Sequence, residues 1–151
     1  MNPNPTILIV DDDEGHAILI RENLLAAGLS NRIEHFRDGQ AILDYLFRLR
    51  PGEAHSYLVL LDIRMPKVDG IEVLKAVKGD PALRTTPVVV LTSSREEQDI
   101  VRSYDLGVNA YVVKPVDFHQ FMESVRRLGV FWVLVNEMPG GPAQPHQPID
   151  A

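Results

Sequence analysis

At 151 residues, with 45% hydrophobic and 24% charged side chains, the chain has the size and composition of one ordinary globular domain built on a single core. It contains no cysteine, which excludes disulfides, thiolate metal ligands and thiol catalysis, and its net charge of −6 with no Lys/Arg-rich segment argues against binding a nucleic-acid backbone. The opening MNPNPTILIV carries no basic export signal and no apolar stretch reaches the ~18 residues of a membrane span, so a cytoplasmic location is expected.

In chain order, apolar runs alternate with segments of helical period, the pattern of a parallel sheet with helices on both faces. Residues 6–10 read as the first strand, and Ile18, Leu19, Asn23 and residues 24–26 mark a helix closed by Gly28. Residues 32–36 give a second, weaker strand, and Ala41, Ile42, Tyr45, Leu46 and Leu49 a second helix. The third strand, 57–61, runs into Asp62; after a Met-Pro turn, Asp69-Gly70 opens a helix marked by Val73, Leu74 and Val77 and ended at Gly79. Asp80-Pro81 can start a short further turn of helix as cap and first residue. Residues 87–91 form the fourth strand, followed by a helix carrying Ile100, Val101 and residues 104–106 and stopped by Gly107. The fifth strand is 110–113, and Asp117 caps a last helix with Phe118, Phe121, Met122, Val125 and Leu128 at the helical period. PGGPAQPHQPIDA at the end is too Pro-rich and too poor in apolar residues to pack. The expected organisation is one folded unit over residues 1–136 and a flexible tail over 137–151.

Ligands of such sheets sit at the carboxyl ends of the strands, near the point where strand order reverses. The first strand stops at Asp11-Asp12-Asp13, the third at Asp62, the fourth at Thr92-Ser93-Ser94 and the fifth at Lys114-Pro115. Clustered carboxylates repel unless a cation intervenes, and an all-oxygen ligand set suits a hard ion such as Mg2+. With that ion and Lys114, the rim becomes positive enough to hold a phosphoryl group, and Thr92 can donate to one of its oxygens. Taken singly, each residue has a plainer reading. Asp13 and Ser94 are suited to helix capping, Lys114 to a solvated strand end, and Tyr111 to the edge of the core with a wet hydroxyl. The five histidines show no metal-ligand spacing and read as surface residues.

Together, VDDDE, LLDIRMPKVDG, VVVLTSS and AYVVKP, in that order and at these intervals, resemble the receiver domain of two-component response regulators. The resemblance implies the flavodoxin-like five-stranded fold and a phosphoaspartate at Asp62, supplied by a phosphohistidine on a sensor kinase. It matches Asp11 and Asp12 to the acidic pair, with Asp12 preferred as the direct Mg2+ ligand, and the Arg64 carbonyl to a further ligand. Thr92 and Tyr111 match the switch residues and Lys114 the lysine of the acceptor site, with a cis Lys114-Pro115 bond. The output is then a changed surface over the fourth and fifth helices, read through protein contacts.

GDPALRTTPVVVLTSS, EEQDIVRSYDLGVNAYVVKPVD and the pair Phe131-Trp132 resemble more narrowly the stand-alone regulators paired with bacterial and cyanobacterial phytochromes, as does the extended connection over 50–56. Gly129 departs from that group by interrupting the last helix. The apolar run Val130 to Val135 leaves one strip unpartnered if helical, and the resemblance implies a homodimer through Phe131, Trp132 and Leu134; the plainer alternative is that Gly129 breaks the helix and the run folds back on its own core. Two readings from other classes compete. Asp11-x-Asp13 also resembles the nucleophile motif of haloacid-dehalogenase-like phosphohydrolases, although no further acidic metal motif follows Lys114, and a receiver-like module could bind partners without phosphorylation.

Overall fold

The computed structural model describes residues 5–50, 57–65, 67–108 and 110–128. Five strands alternate with five helices: β1 (Thr6–Val10), α1 (Glu14–Ala26), β2 (Ile33–Phe36), α2 (Gly39–Leu46), β3 (Tyr57–Asp62), α3 (Gly70–Gly79), β4 (Val88–Thr92), α4 (Arg95–Ser103), β5 (Tyr111–Val113) and α5 (Phe118–Leu128). All pairings are parallel and the strand order is β2-β1-β3-β4-β5, the flavodoxin-like order expected from the sequence. Order reverses between β1 and β3, so the carboxyl ends of these two strands flank the crevice. Both β3 and β4 run one residue further than the apolar runs indicated, which places Asp62 and Thr92 inside the sheet as the last residue of each strand.

The continuous apolar character of the central strands follows from burial on both faces. Alternation sends Ile7, Ile9, Leu58, Leu60, Val89, Leu91 and Val112 to one face, under Ala17, Ile20 and Leu24 of α1 and Phe121 and Met122 of α5. Leu8, Val10, Val59, Leu61, Val88 and Val90 face the other way, under Ile42 and Leu46 of α2, Val73, Leu74 and Val77 of α3, and Val101 of α4. β2 is half-buried throughout, as its edge position requires.

Two helix readings change. In α1 the inward residues are Ala17, Ile20 and Leu24, while Ile18, Leu19 and Leu25 are 50%, 41% and 52% exposed. The run AILI is apolar in every direction, so period alone does not fix its phase; the Asp13 cap, whose Oδ1 accepts the His16 amide, does. α4 stops at Ser103, leaving Tyr104 and Ile100 exposed and turning Glu97, Gln98 and Val101 inward. The short turn expected after Asp80 is present over residues 81–85: Asp80 Oδ2 accepts the amides of Ala82 and Leu83 as a cap, and the Arg84 amide donates to the Asp80 carbonyl at 2.9 Å.

Other local expectations are met. Asp69 and Glu72 form a reciprocal capping box at the start of α3, Ser94 caps α4, and Asp117 Oδ1 accepts the Gln120 amide at the start of α5. Gly70 is fixed by proximity: a Cβ there would lie 2.4 Å from the Asp62 carbonyl oxygen. Among the described residues no helix is long and apolar enough to cross a membrane. The 51–56 part of the extended connection, the Gly129 interruption, the interface residues Phe131, Trp132 and Leu134, the 136/137 boundary, and His55 and His146 lie outside the described residues.

Candidate functional site

The carboxyl ends of the parallel strands share one rim, and residues at the ends of β1, β3 and β5 converge there. Asp11, Asp12 and Asp62 each offer a carboxylate oxygen within 4.8 Å of the others. Asp11 and Asp62 are 0% and 3% exposed, whereas Asp12 faces outward and leaves the cluster open on one side. Lys114 reaches across from β5, with Nζ 3.3 Å from Asp62 Oδ2 and 3.4 Å from Asp11 Oδ2. The Lys114-Pro115 bond is cis, as expected, and the Lys114 amide donates to the Thr92 carbonyl at 2.8 Å.

Electrostatics separates the two buried carboxylates. Burial and the neighbouring Asp11 charge push the Asp62 carboxyl up to about 6, against which Lys114 and the Arg64 amide act only in part. Burial also pushes Asp11 up, but hydrogen bonds from His16 and the Asp13 amide, with the Lys114 charge, overcome it and hold Asp11 below the usual range. Burial alone would lower Lys114; its two carboxylate partners hold it above the ordinary lysine value. The donor set is entirely hard oxygen, two of its three carboxylates are out of water, and one side is open. It suits Mg2+ or Mn2+, whose charge would relieve the crowding that raises Asp62.

The loops around this cluster are tied by polar side chains. The Arg64 amide donates to Asp62 Oδ1 at 3.3 Å, wrapping the β3–α3 loop around that carboxylate. The Arg64 guanidinium pairs with Glu97, which is 5% exposed and whose other oxygen accepts the Ser93 amide at 2.7 Å. Thr92 is fully buried, with Oγ1 3.5 Å from Gln98 Nε2. Tyr111 is half-buried, its ring under the Arg102 guanidinium at 4.6 Å. Asp13 stays outside the carboxylate cluster and caps α1.

Two histidines read as surface residues belong to the site instead. His16 Nδ1 lies 2.5 Å from Asp11 Oδ2, and His35 Nε2 lies 2.7 Å from the Asp11 carbonyl. His119 is exposed, as expected. A helix capped by Asp13 directly after Asp11 turns its third residue back toward the strand end, so the position of His16 was a usable signal. For Glu97 the signal was Ser94-x-x-Glu97, a capping spacing. A depression of about 780 Å3 lined by Lys75, Lys78, Arg84 and Asp105 lies at the amino-terminal ends of the strands; it gathers none of the residues of the acidic rim.

A profile of the response regulator receiver domain matches residues 7–126. The chain belongs to the response regulator receiver family. The probable methanogenesis regulatory protein FilR2 of Methanothrix harundinacea is 45% identical over 136 residues, covering 89% of this receiver chain and 87% of its own. The solved bacteriophytochrome response regulator AtBRR superposes with a TM-score of 0.79 at 52% identity, over 88% of this receiver and 98% of its own chain. Response regulator Rcp1 of Synechocystis sp. is 35% identical over 91% of this chain and 95% of its own. Its Mn2+-bound form superposes with a TM-score of 0.65 at 34% identity, covering 89% of this chain and 99% of that one.

Proposed function

We propose that this receiver accepts a phosphoryl group on Asp62 from the phosphohistidine of a sensor kinase in a Mg2+-dependent step, and signals through the protein contacts its switched surface makes. The observation that carries the reading is the convergence of Asp11, Asp12, Asp62 and Lys114 at the crevice between β1 and β3. With its proton lost near pH 6, Asp62 is mostly ionised at neutral pH and attacks phosphorus without a general base. The P–N bond to the donor imidazole breaks as the P–O bond forms, and the departing ring nitrogen takes a proton from solvent. Asp12, Asp62 and the Arg64 carbonyl would hold Mg2+, with Asp11 anchoring the cluster; the bound ion supplies screening of the repulsion between anions. The Mn2+-bound relative supports a divalent ion at such an acidic rim.

Once formed, the phosphoryl group competes for partners already engaged. Lys114 leaves its shared position between two carboxylates, and Thr92 exchanges Gln98 for a phosphoryl oxygen. Contacts made only in the phosphorylated state bias a two-state equilibrium, with Tyr111 moving as the β4–α4 loop is drawn in. The chain acts on no separate substrate in this reading. The Asp13 carboxylate caps α1 and stays outside the carboxylate cluster, which disfavours the phosphohydrolase alternative.

The kinase we infer is a phytochrome, on the likeness to bacteriophytochrome regulators; the meeting place is the cytoplasm, and neither nucleic acid nor membrane is a partner. A homodimer through Phe131, Trp132 and Leu134 belongs to the same reading, supported by the apolar run over 130–135, and sedimentation of Phe131→Glu/Leu134→Glu against wild type tests it. Phosphotransfer profiling against histidine kinases tests the assignment: one kinase should label the wild type rapidly and leave Asp62→Asn unlabelled. Equal labelling of that variant would overturn it.

A further inference from the structure

The residue after the cis proline is held on both of its polar atoms by one helix. The Val116 amide lies 3.4 Å from His16 Nε2, and the Val116 carbonyl accepts from Asn23 Nδ2 at 3.1 Å. Both side chains belong to α1, seven residues apart and so on one face. The Val116 side chain is buried against the same cluster as Ala17, Ile20 and Leu24. Val116 therefore sits between Lys114, which touches both buried carboxylates, and Asp117, which caps α5.

His16 also closes a path to the acidic rim. A backbone amide can only donate, so Nε2 must be the bare nitrogen of the ring and the proton resides on Nδ1. Nδ1–H then donates to Asp11 Oδ2 at 2.5 Å, which is one of the bonds holding that carboxylate ionised. The ring is fixed at its base, because the His16 amide is bonded to Asp13 Oδ1 at 3.1 Å. Asp11 Oδ2 receives the His16 and Lys114 hydrogens together, while Oδ1 takes the Asp13 amide at 2.9 Å. A cation that draws on Asp11 must weaken or redirect one of these bonds. Whatever moves the ring changes the acceptor offered to Val116.

We propose that His16 is a positioning residue that joins the Asp11 carboxylate to the main chain of Val116, so that a divalent cation at the acidic rim is felt in the β5–α5 connection. The proposal rests on the reading of that rim as a Mg2+ site, and adds a route from the site to α5 that runs through α1 rather than through Thr92 and Tyr111. Partners that orient a metal's carboxylates commonly change metal affinity about tenfold or more when removed.

Two substitutions separate the two ends of the ring. His16→Asn places an amide near the position of Nδ1, reaching Asp11 and not Val116; His16→Gln places it near Nε2, reaching Val116 and not Asp11. On the full chain, Mg2+ affinity is measured by calorimetry and the Val116 amide is followed by hydrogen exchange, with and without Mg2+. In the wild type, Mg2+ should change Val116 exchange severalfold. His16→Asn should keep Mg2+ affinity close to wild type, with a fast Val116 amide indifferent to the ion. His16→Gln should keep a slow Val116 amide, equally indifferent, and lose about tenfold in Mg2+ affinity. A wild-type-sized Mg2+ response at Val116 in either variant would overturn the proposal. If the variants fail to fold, imidazole nitrogen shifts of the wild type decide: a His16 ring proton on Nε2, or shifts unmoved by bound Mg2+, would also overturn it. A wild type that binds Mg2+ and is phosphorylated, beside variants indistinguishable from it, refutes only the role of His16. A wild type that does neither refutes the reading of the rim and the proposal with it.

Discussion

Replacing Asp62 by asparagine should stabilise the metal-free protein at neutral pH, although it removes the reactive group. Asp62 is 3% exposed and shares its pocket with a second carboxylate, and its carboxyl titrates at about 6 against an ordinary 3.8. The folded chain thus holds this proton more tightly than the unfolded chain. The stability it contributes is fully present below about pH 3.8 and lost as pH rises through about 6. At ~1.4 kcal/mol per tenfold change in proton affinity, the loss is on the order of 3 kcal/mol. Asparagine does not titrate, and its carbonyl oxygen still accepts from the Arg64 amide. The stability of Asp62→Asn minus that of wild type should be near zero at about pH 4, climb steeply to about pH 6, and level off ~2–3 kcal/mol in favour of the variant. Urea unfolding followed by circular dichroism, in chelator, measures the difference. Saturating Mg2+ should then raise the wild type more than the variant. A difference flat with pH, or a variant less stable than wild type at neutral pH, would refute the account of a crowded, metal-hungry carboxylate.

Asp12→Ala should weaken Mg2+ binding far more than Asp13→Ala, which instead costs about 1 kcal/mol of stability as a lost helix cap; calorimetry and thermal unfolding read the two effects, and the reverse order would mean the triplet is assigned out of register. Lys114→Ala should fold and accept phosphate slowly from a small-molecule donor but lose the conformational response, as followed by amide shifts over α4 and α5. Gly70→Ala drives a Cβ to 2.4 Å from the Asp62 carbonyl oxygen and 2.7 Å from the Ile63 Cα. Overpacking of that kind costs ~1–3 kcal/mol, and the displaced loop should weaken Mg2+ binding as well, visible as a lower melting temperature and a weaker titration.

The sheet was legible because doubly buried strands are written as Val/Ile/Leu runs, and the rim because Asp11, Asp62, Thr92 and Lys114 each follow such a run directly. Strand ends were less so: nothing in the composition of β3 or β4 says that the polar residue after the run still pairs in the sheet. The phase of α1 was hidden by Ala17, Ile18, Leu19 and Ile20, which offer an apolar residue in every direction. The tie of His16 and Asn23 to the β5–α5 connection was hidden for another reason. Their partner Val116 lies 100 and 93 residues away in the chain, so no local spacing relates them. Glu97 and Gln98 carry no apolar signal, but they turn inward to hold Ser93 and Thr92, a burial that only the folded loops make worthwhile.

The most direct test of the central claim is intact-mass and peptide-mapping spectrometry after exposure to acetyl phosphate. With Mg2+ present, one phosphoryl group should appear, located on Asp62, and it should be absent in chelator and in Asp62→Asn. A phosphoryl group on another residue, labelling that persists in chelator, or turnover of the donor with an unmodified Asp62 would each contradict a receiver that works through this carboxylate.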